Sequence, residues 1–220
     1  MTQFIEVPAS KNSLSKRKPV FGIGINDANY VAQPVVESKK ISCPYYRAWK
    51  NMLMRCYSEK YQTKRPTYIG CSVDKEWLTF SVFRAWMEGQ DWQGKQLDKD
   101  LLIPGNKEYG PAACIFVSSQ INSLLNDHAA ERGDFPQGVG FDKALGKYKA
   151  YCSVNGKMKH LGCFTSIPEA EITYLTFKSE LIKQIASEEE AASNPKLQTA
   201  LLRHTELLIN KLIIIKREVK

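Results

Sequence analysis

Side chains that suit a hard cation and a phosphate gather in one stretch, residues 95–127. Asp98-Lys99-Asp100 follows the short apolar approach Gln96-Leu97. Pro104-Gly105-Asn106-Lys107 then reverses the chain, because proline and glycine supply the backbone angles of a tight turn. Cys114-Ile115-Phe116-Val117 returns as a β-type run. Ser118 caps a short helix with Ile121, Asn122, Leu124 and Leu125. Strand, turn, strand and helix would bring acidic and amide groups together, and such a unit can hold one divalent metal against a phosphate. A second group lies downstream. Between 139 and 163, Lys143, Lys147, Lys149, Lys157 and Lys159 stand against the single acid Asp142, a local balance of +4, and His160 adds a polar ring.

The whole chain carries +8 over 220 residues. That balance suits a polyanion, with nucleic acid ahead of membrane because no amphipathic Lys-rich helix stands out; a basic protein without a polyanionic partner is the plainer alternative. No pair of the six cysteines has two-residue spacing, and Cys114 and Cys163 sit in apolar runs, which points to buried thiols rather than zinc or redox motifs. The first residues lack the apolar core of a secretion signal. The apolar run Leu212 to Ile215 is far too short to span a bilayer. The expectation is an intracellular protein with reduced thiols and no membrane partner.

The elements that must position these groups follow from pattern. Residues 1–43 read as an N-terminal arm, flexible over 1–18, with a β segment at Val20–Ile25 and a loop at 33–43. The glycines of that segment match a dinucleotide fingerprint only loosely, since Asn26-Asp27-Ala28-Asn29 makes a turn where a helix should follow. Pro44 opens a helix with Tyr45, Trp49, Met52, Leu53 and Cys56 at helical spacing. Asp74 starts a second with Trp77, Phe80, Phe83 and Trp86, ending at Gly89. These two support residues 95–127. The polar stretch 129–137 marks a boundary. Three antiparallel strands follow, at Val139–Phe141, Tyr148–Val154 and Lys159–Phe164, with Asn155-Gly156 as the hairpin turn. Alternation puts Lys147, Lys149 and Tyr151 on one face, Tyr148 and Ala150 on the other. Pro168-Glu169 opens a helix with Ala170, Tyr174, Phe177 and Leu181 on one side. Asn194-Pro195 starts the last helix, whose positions 201, 205, 208, 212, 215 and 219 form a heptad-like seam. That seam either pairs helices between two subunits or packs on its own chain.

Two sets of residues carry a resemblance. The first is Leu97-Asp98-Lys99-Asp100, Gly105-Asn106, Tyr109-Gly110-Pro111, Cys114, Val117 and Asn122, with Trp49, Arg55-Cys56-Tyr57, Trp77, Phe80 and Phe83 upstream. On these, residues 45–127 resemble phage-type HNH nucleases, relatives of homing endonucleases. The second is Gly138-Val139, Tyr148-Lys149-Ala150, Gly156-Lys157, Leu161-Gly162-Cys163-Phe164 and Glu169-Ala170. On these, residues 138–186 resemble the Apetala (ethylene-response-factor) type of DNA-binding domain, which is often fused to phage HNH proteins.

Together the resemblances imply an α+β chain: an arm (1–43), an HNH-like ββα-metal core with supporting helices (44–130), a three-stranded sheet plus helix (137–187) and a C-terminal helix (194–220). They imply a DNA-binding protein of the host cytoplasm that cuts duplex DNA with Mg2+ or Mn2+. Asp98 and Asn122 would ligate the metal, Asn106 would position it from the turn, and Lys99 would hold phosphate. The sequence departs from the family at Lys99, which stands where the general-base His belongs, and at Ala113, where an Asn is usual. Asp100 or His128 would have to replace the base. The sheet would enter the major groove, with Lys143, Lys147, Lys149, Lys157 and Lys159 on phosphates and Tyr148, Tyr151 or His160 at bases. Loss of the His equally fits a catalytically inactive HNH-like factor that grips DNA or a host protein. A third reading is an adaptor that dimerises through the C-terminal helix.

Overall fold

A computed structural model describes residues 4–36, 38–125 and 134–219. The fold is mixed α+β and divides into two compact units, residues 1–116 and 117–220. The division falls inside the span expected to form one HNH-like domain, at a strand with no change in composition.

In the first unit, α1 (Lys11–Ser15) is capped by Ser10. β1 (Val35–Val36) and β2 (Lys39–Lys40) pair antiparallel where a loop was expected. α2 (Pro44–Tyr57) buries Tyr46, Trp49, Met52, Leu53 and Cys56, and α3 (Glu59–Lys64) follows with Ser58 as its cap. β3 (Ser72–Val73) precedes a 3-10 turn at Glu76–Leu78 and α4 (Phe80–Glu88). Then come β4 (Gln96–Asp98), β5 (Glu108–Tyr109) and β6 (Ile115–Val117). β4 pairs with β6, while β5 leaves that hairpin to run parallel with β3.

The core of this unit is aromatic: Trp49, Trp77, Phe80, Phe83 and Tyr109 are all but fully buried. The Trp49 indole donates to the Trp77 carbonyl at 2.7 Å, so its one polar atom is satisfied inside the core. The second helix starts later than its sequence suggests. Asp74 spends its carboxylate on the Glu76 N–H (2.9 Å) and makes the 3-10 turn. The helix proper is capped from a distance by Asp27, which accepts from the Ser81 N–H and hydroxyl at 2.9 and 2.5 Å.

Nor do the first residues stand off as an arm. Phe4, Val20, Phe21, Ala28, Tyr30 and Ala32 pack into the aromatic core. The Arg17 guanidinium donates to the carbonyls of Asn26, Ala28 and Tyr30 at 2.8, 2.5 and 2.8 Å. Lys18 ends a charge run, but its neighbour Arg17 is a clamp rather than a solvated charge. Val20–Ile25 is a turn closed by the Val20–Gly24 bridge instead of a strand.

The second unit opens with α5 (Ser119–Leu125), where Ser118 Oγ accepts from the Ile121 N–H at 3.3 Å. β7 (Val139–Asp142), β8 (Lys147–Val154) and β9 (Lys157–Phe164) form the antiparallel sheet in order β7-β8-β9. Asn155 and Gly156 both have positive φ, 52° and 73°, the geometry of the hairpin turn that this dipeptide favours. α6 (Ile167–Ser187) begins with a capping box between Ser166 and Glu169. A short α7 (Glu189–Ala192) leads to α8 (Pro195–Glu218).

α6 lies on one face of the sheet. Val139, Ala150 and Ala170 make one small core, and Cys152, Tyr174 and Leu175 another. α8 packs along α6, burying Leu197, Ala200, Leu201 and Thr205 and setting Leu208, Leu212 and Ile215 against the second core. Of the two readings of the heptad-like seam, packing on the chain's own α6 is what positions 201 to 215 show, while Val219 at its end is exposed. Among the described residues no helix is long and apolar enough to cross a membrane.

Candidate functional site

The polar loop of the first unit is bonded mostly to itself. Asp98 Oδ1 accepts from the N–H groups of Asp100 and Leu101 at 2.9 and 2.7 Å. Asn106 donates to the carbonyls of Lys99 and Glu108 at 2.7 and 2.6 Å, which locks the turn. Lys99 does not reach outward. It is 7% exposed, and its ammonium donates to Asp100 Oδ2 at 3.0 Å and to the Asn106 carbonyl at 2.9 Å. One turn carbonyl and a neighbouring carboxylate have captured the charge that was expected to hold phosphate. A lysine already neutralises Asp100, and Asp98 is engaged by backbone, so these residues are a poor fit for Mg2+ or Mn2+ in this unit. Asn122 lies on α5 in the second unit. His128 lies outside the described residues.

Burial, and then the nearby Asp100 carboxylate, push the Asp98 carboxyl above the usual aspartate range. Its neutral form favours folding, so the stability it contributes is complete below the ordinary value of about 3.9 and is lost as pH rises through the folded value. Asp98→Asn keeps an oxygen for both N–H groups and removes that loss. The variant is expected to be more stable than the parent at pH 7, with the gap closing down to about pH 4; paired urea melts at the two pH values check it, and a gap that widens in acid contradicts it.

The basic sheet of the second unit is arranged differently. Register decides which side chains share a face. Lys149 opposes Gly140 and Cys163, Tyr151 opposes His160, Ser153 opposes Met158, and Asp142 opposes Lys147. All of these lie on the face away from α6. The Tyr151 ring lies across Gly140, where an added methyl would sit 3.3 Å from the ring. Lys149 pairs with Asp142 across the strands. That hydrogen bond holds the Asp142 carboxyl below, and the Lys149 ammonium above, their usual ranges.

The other face takes Tyr148, Ala150 and Cys152, toward α6. Tyr148 packs edge-on to Phe135 at 6.0 Å and tilted against Phe141 at 5.1 Å. It is a core-edge residue and not one that reaches bases from the open face. Lys159 opposes Cys152 and sets its ammonium 4.6 Å from the Phe177 ring centre on α6, which removes it from the open face as well. Lys157 opposes Val154 at the hairpin end, and Lys143 is exposed in the β7–β8 turn. The sequence-predicted set is thus split. Lys147, Lys149, Tyr151 and His160 are brought together, with Lys143 at the end of the sheet; Tyr148, Lys157 and Lys159 are not.

One member of this face was not anticipated. Cys163 is exposed, unlike the other five cysteines, and its sulfur lies 3.5 Å from His160 Nε2. The cause is a register shift between Ala150 and Tyr151. The extra residue, Leu161, turns inward, and every residue after it changes face. The signal for it was Gly162 within a strand, here at φ 149° with the Phe164 ring where a side chain would go. No family model, curated protein or solved structure matches the chain.

Proposed function

We propose that this chain binds double-stranded DNA without cutting it, using the open face of the β7-β8-β9 sheet. The observation that carries this is the one-sided covering of the sheet: α6 takes the apolar face, and Lys147, Lys149, Tyr151 and His160 stand on the face left open. A sheet presenting cations around an aromatic and an imidazole suits groove entry, with phosphates taken by lysines and base edges by Tyr151 and His160. The net charge of +8 has the matching sign. Binding without hydrolysis is favoured by Lys99, which occupies the place of the expected base with its ammonium bonded inside the loop. On this reading residues 95–125 are an HNH-like scaffold that has kept its turn and lost its chemistry.

The test has two arms. Fluorescence anisotropy with a labelled duplex should show affinity that falls about 40-fold between 50 and 200 mM salt, the loss for three phosphate contacts. Supercoiled plasmid with Mg2+ or Mn2+ should stay intact. Binding that ignores salt removes the proposed face. Nicking that disappears in Asp98→Ala, Asn122→Ala replaces the reading with a metal-dependent HNH-like nuclease.

A further inference from the structure

A cavity of about 230 Å³ opens in the first unit beside α2. It is unrelated to the sheet just described and does not depend on the reading given to it. Its lining includes three cations, Arg47, Arg55 and Lys95, and no acid. Lys95 is paired with Asp91 at 2.5 Å. Arg47 and Asn51 have no side-chain partner among the described residues. Arg55 bonds only neutral oxygens, the Leu97 carbonyl at 3.4 Å and the Tyr109 hydroxyl at 3.3 Å, both through Nη1. The guanidinium also lies over the Tyr68 ring, 5.5 Å from its centre, and its remaining N–H groups have no hydrogen-bond partner among the described residues. The cavity therefore holds positive charge that the protein itself does not neutralise.

The geometry adds length and a flat wall. Arg47, Asn51 and Arg55 are four residues apart, so they lie on one side of α2 and span roughly 12 Å. Off α2 the lining carries the apolar side chains of Met87, Trp92, Leu97 and Phe116 beside Lys95 and Gln96, and Met52 of α2 adds a buried thioether. Trp92 is held in place by an edge contact with Tyr45, ring centres 5.1 Å apart. An anion alone would leave this wall unused, and an apolar ligand alone would leave two guanidinium groups unpaired. We propose that the cavity binds a 5′-phosphorylated nucleotide. Its ring lies against Trp92 and Met52, its phosphate is taken by Arg47 and Asn51 at the exposed end, and its base acceptors meet Arg55. A guanine edge, with two adjacent acceptors, is the best match to a guanidinium. The volume is below the roughly 300–1,000 Å³ of sites for drug-sized ligands, which limits the ligand to one nucleotide. That nucleotide is either free or the 5′ end of a strand.

Calorimetric titration of the full chain tests this with GMP, guanosine, inorganic phosphate and a 5′-phosphorylated tetranucleotide beginning with G. GMP or the tetranucleotide should saturate one site, and guanosine and phosphate should bind at least about tenfold more weakly. Equal affinity for the two nucleotides identifies a free-nucleotide site, and a preference for the tetranucleotide identifies a strand end. Arg47→Ala and Asn51→Ala change residues at the exposed end and should fold normally; each should weaken binding about tenfold or more. The proposal fails if neither nucleotide binds at millimolar concentration, if phosphate binds as tightly as GMP, or if Arg47→Ala leaves affinity unchanged in a protein with the parent melting temperature.

Discussion

Gly138→Ala is expected to destabilise the second unit by about 3 kcal/mol or more, from two additive costs. Gly138 has φ 75°, a left-handed conformation that costs an L side chain about 1–2 kcal/mol. The added methyl would also sit 2.1 Å from Cδ2 of Tyr174, a ring only 4% exposed and set in the core under the sheet. Forcing extra volume into a filled site costs a further 1–3 kcal/mol or so. Neither cost can relax cheaply, because Gly138 also offers its carbonyl to the Tyr151 N–H at 2.8 Å. In a unit of this size the sum lowers the melting temperature by about 12 °C or more. Urea melts read at the helical signal provide the measurement. A loss under about 1 kcal/mol would show that Tyr174 does not pack on this backbone.

Reversing the two lysines of the open face should have the largest effect on affinity. Lys147→Glu, Lys149→Glu is expected to weaken duplex binding at least about 100-fold and to reduce the salt slope by about 1 or more, the share of the unpaired Lys147. Asp142 makes the prediction two-sided, since in the parent it neutralises Lys149. Asp142→Asn frees that ammonium and should tighten binding several-fold with a steeper salt slope. The same two substitutions distinguish a face that meets DNA from one that is merely basic: opposite shifts are expected, and affinity that survives the lysine reversal dismisses the sheet as the docking surface. Thermal melts of both variants control for folding, and surface changes of this kind cost about 0.5 kcal/mol or less.

What could be read from the sequence was mostly local. The β8–β9 turn is a property of Asn155-Gly156 alone, and the start of α6 is a property of the residues around Ser166 and Glu169. Aromatic spacing in 44–88 likewise led to the core that formed. Faces and partners were harder. Alternation placed Lys149 and Tyr151 together correctly, but the extra residue at Leu161 reversed the strand beyond it and brought Cys163 out. Lys99 was visible as a cation beside acids, yet its direction depends on a turn carbonyl seven residues away. The start of α4 depends on Asp27, 54 residues upstream of the serine it caps. The division at 116/117 depends on which segments touch, which composition does not announce; of the boundary expected at 129–137, residues 129–133 lie outside the described residues.

The aromatic core has a spectroscopic consequence. All four tryptophans, Trp49, Trp77, Trp86 and Trp92, belong to the first unit, and the second has none. The two longest helices, α6 and α8, belong to the second. Emission excited at the indole band therefore reports on the first unit alone, while circular dichroism in the far ultraviolet is weighted toward the second. One unlabelled sample carries two built-in reporters, one for each half of the chain.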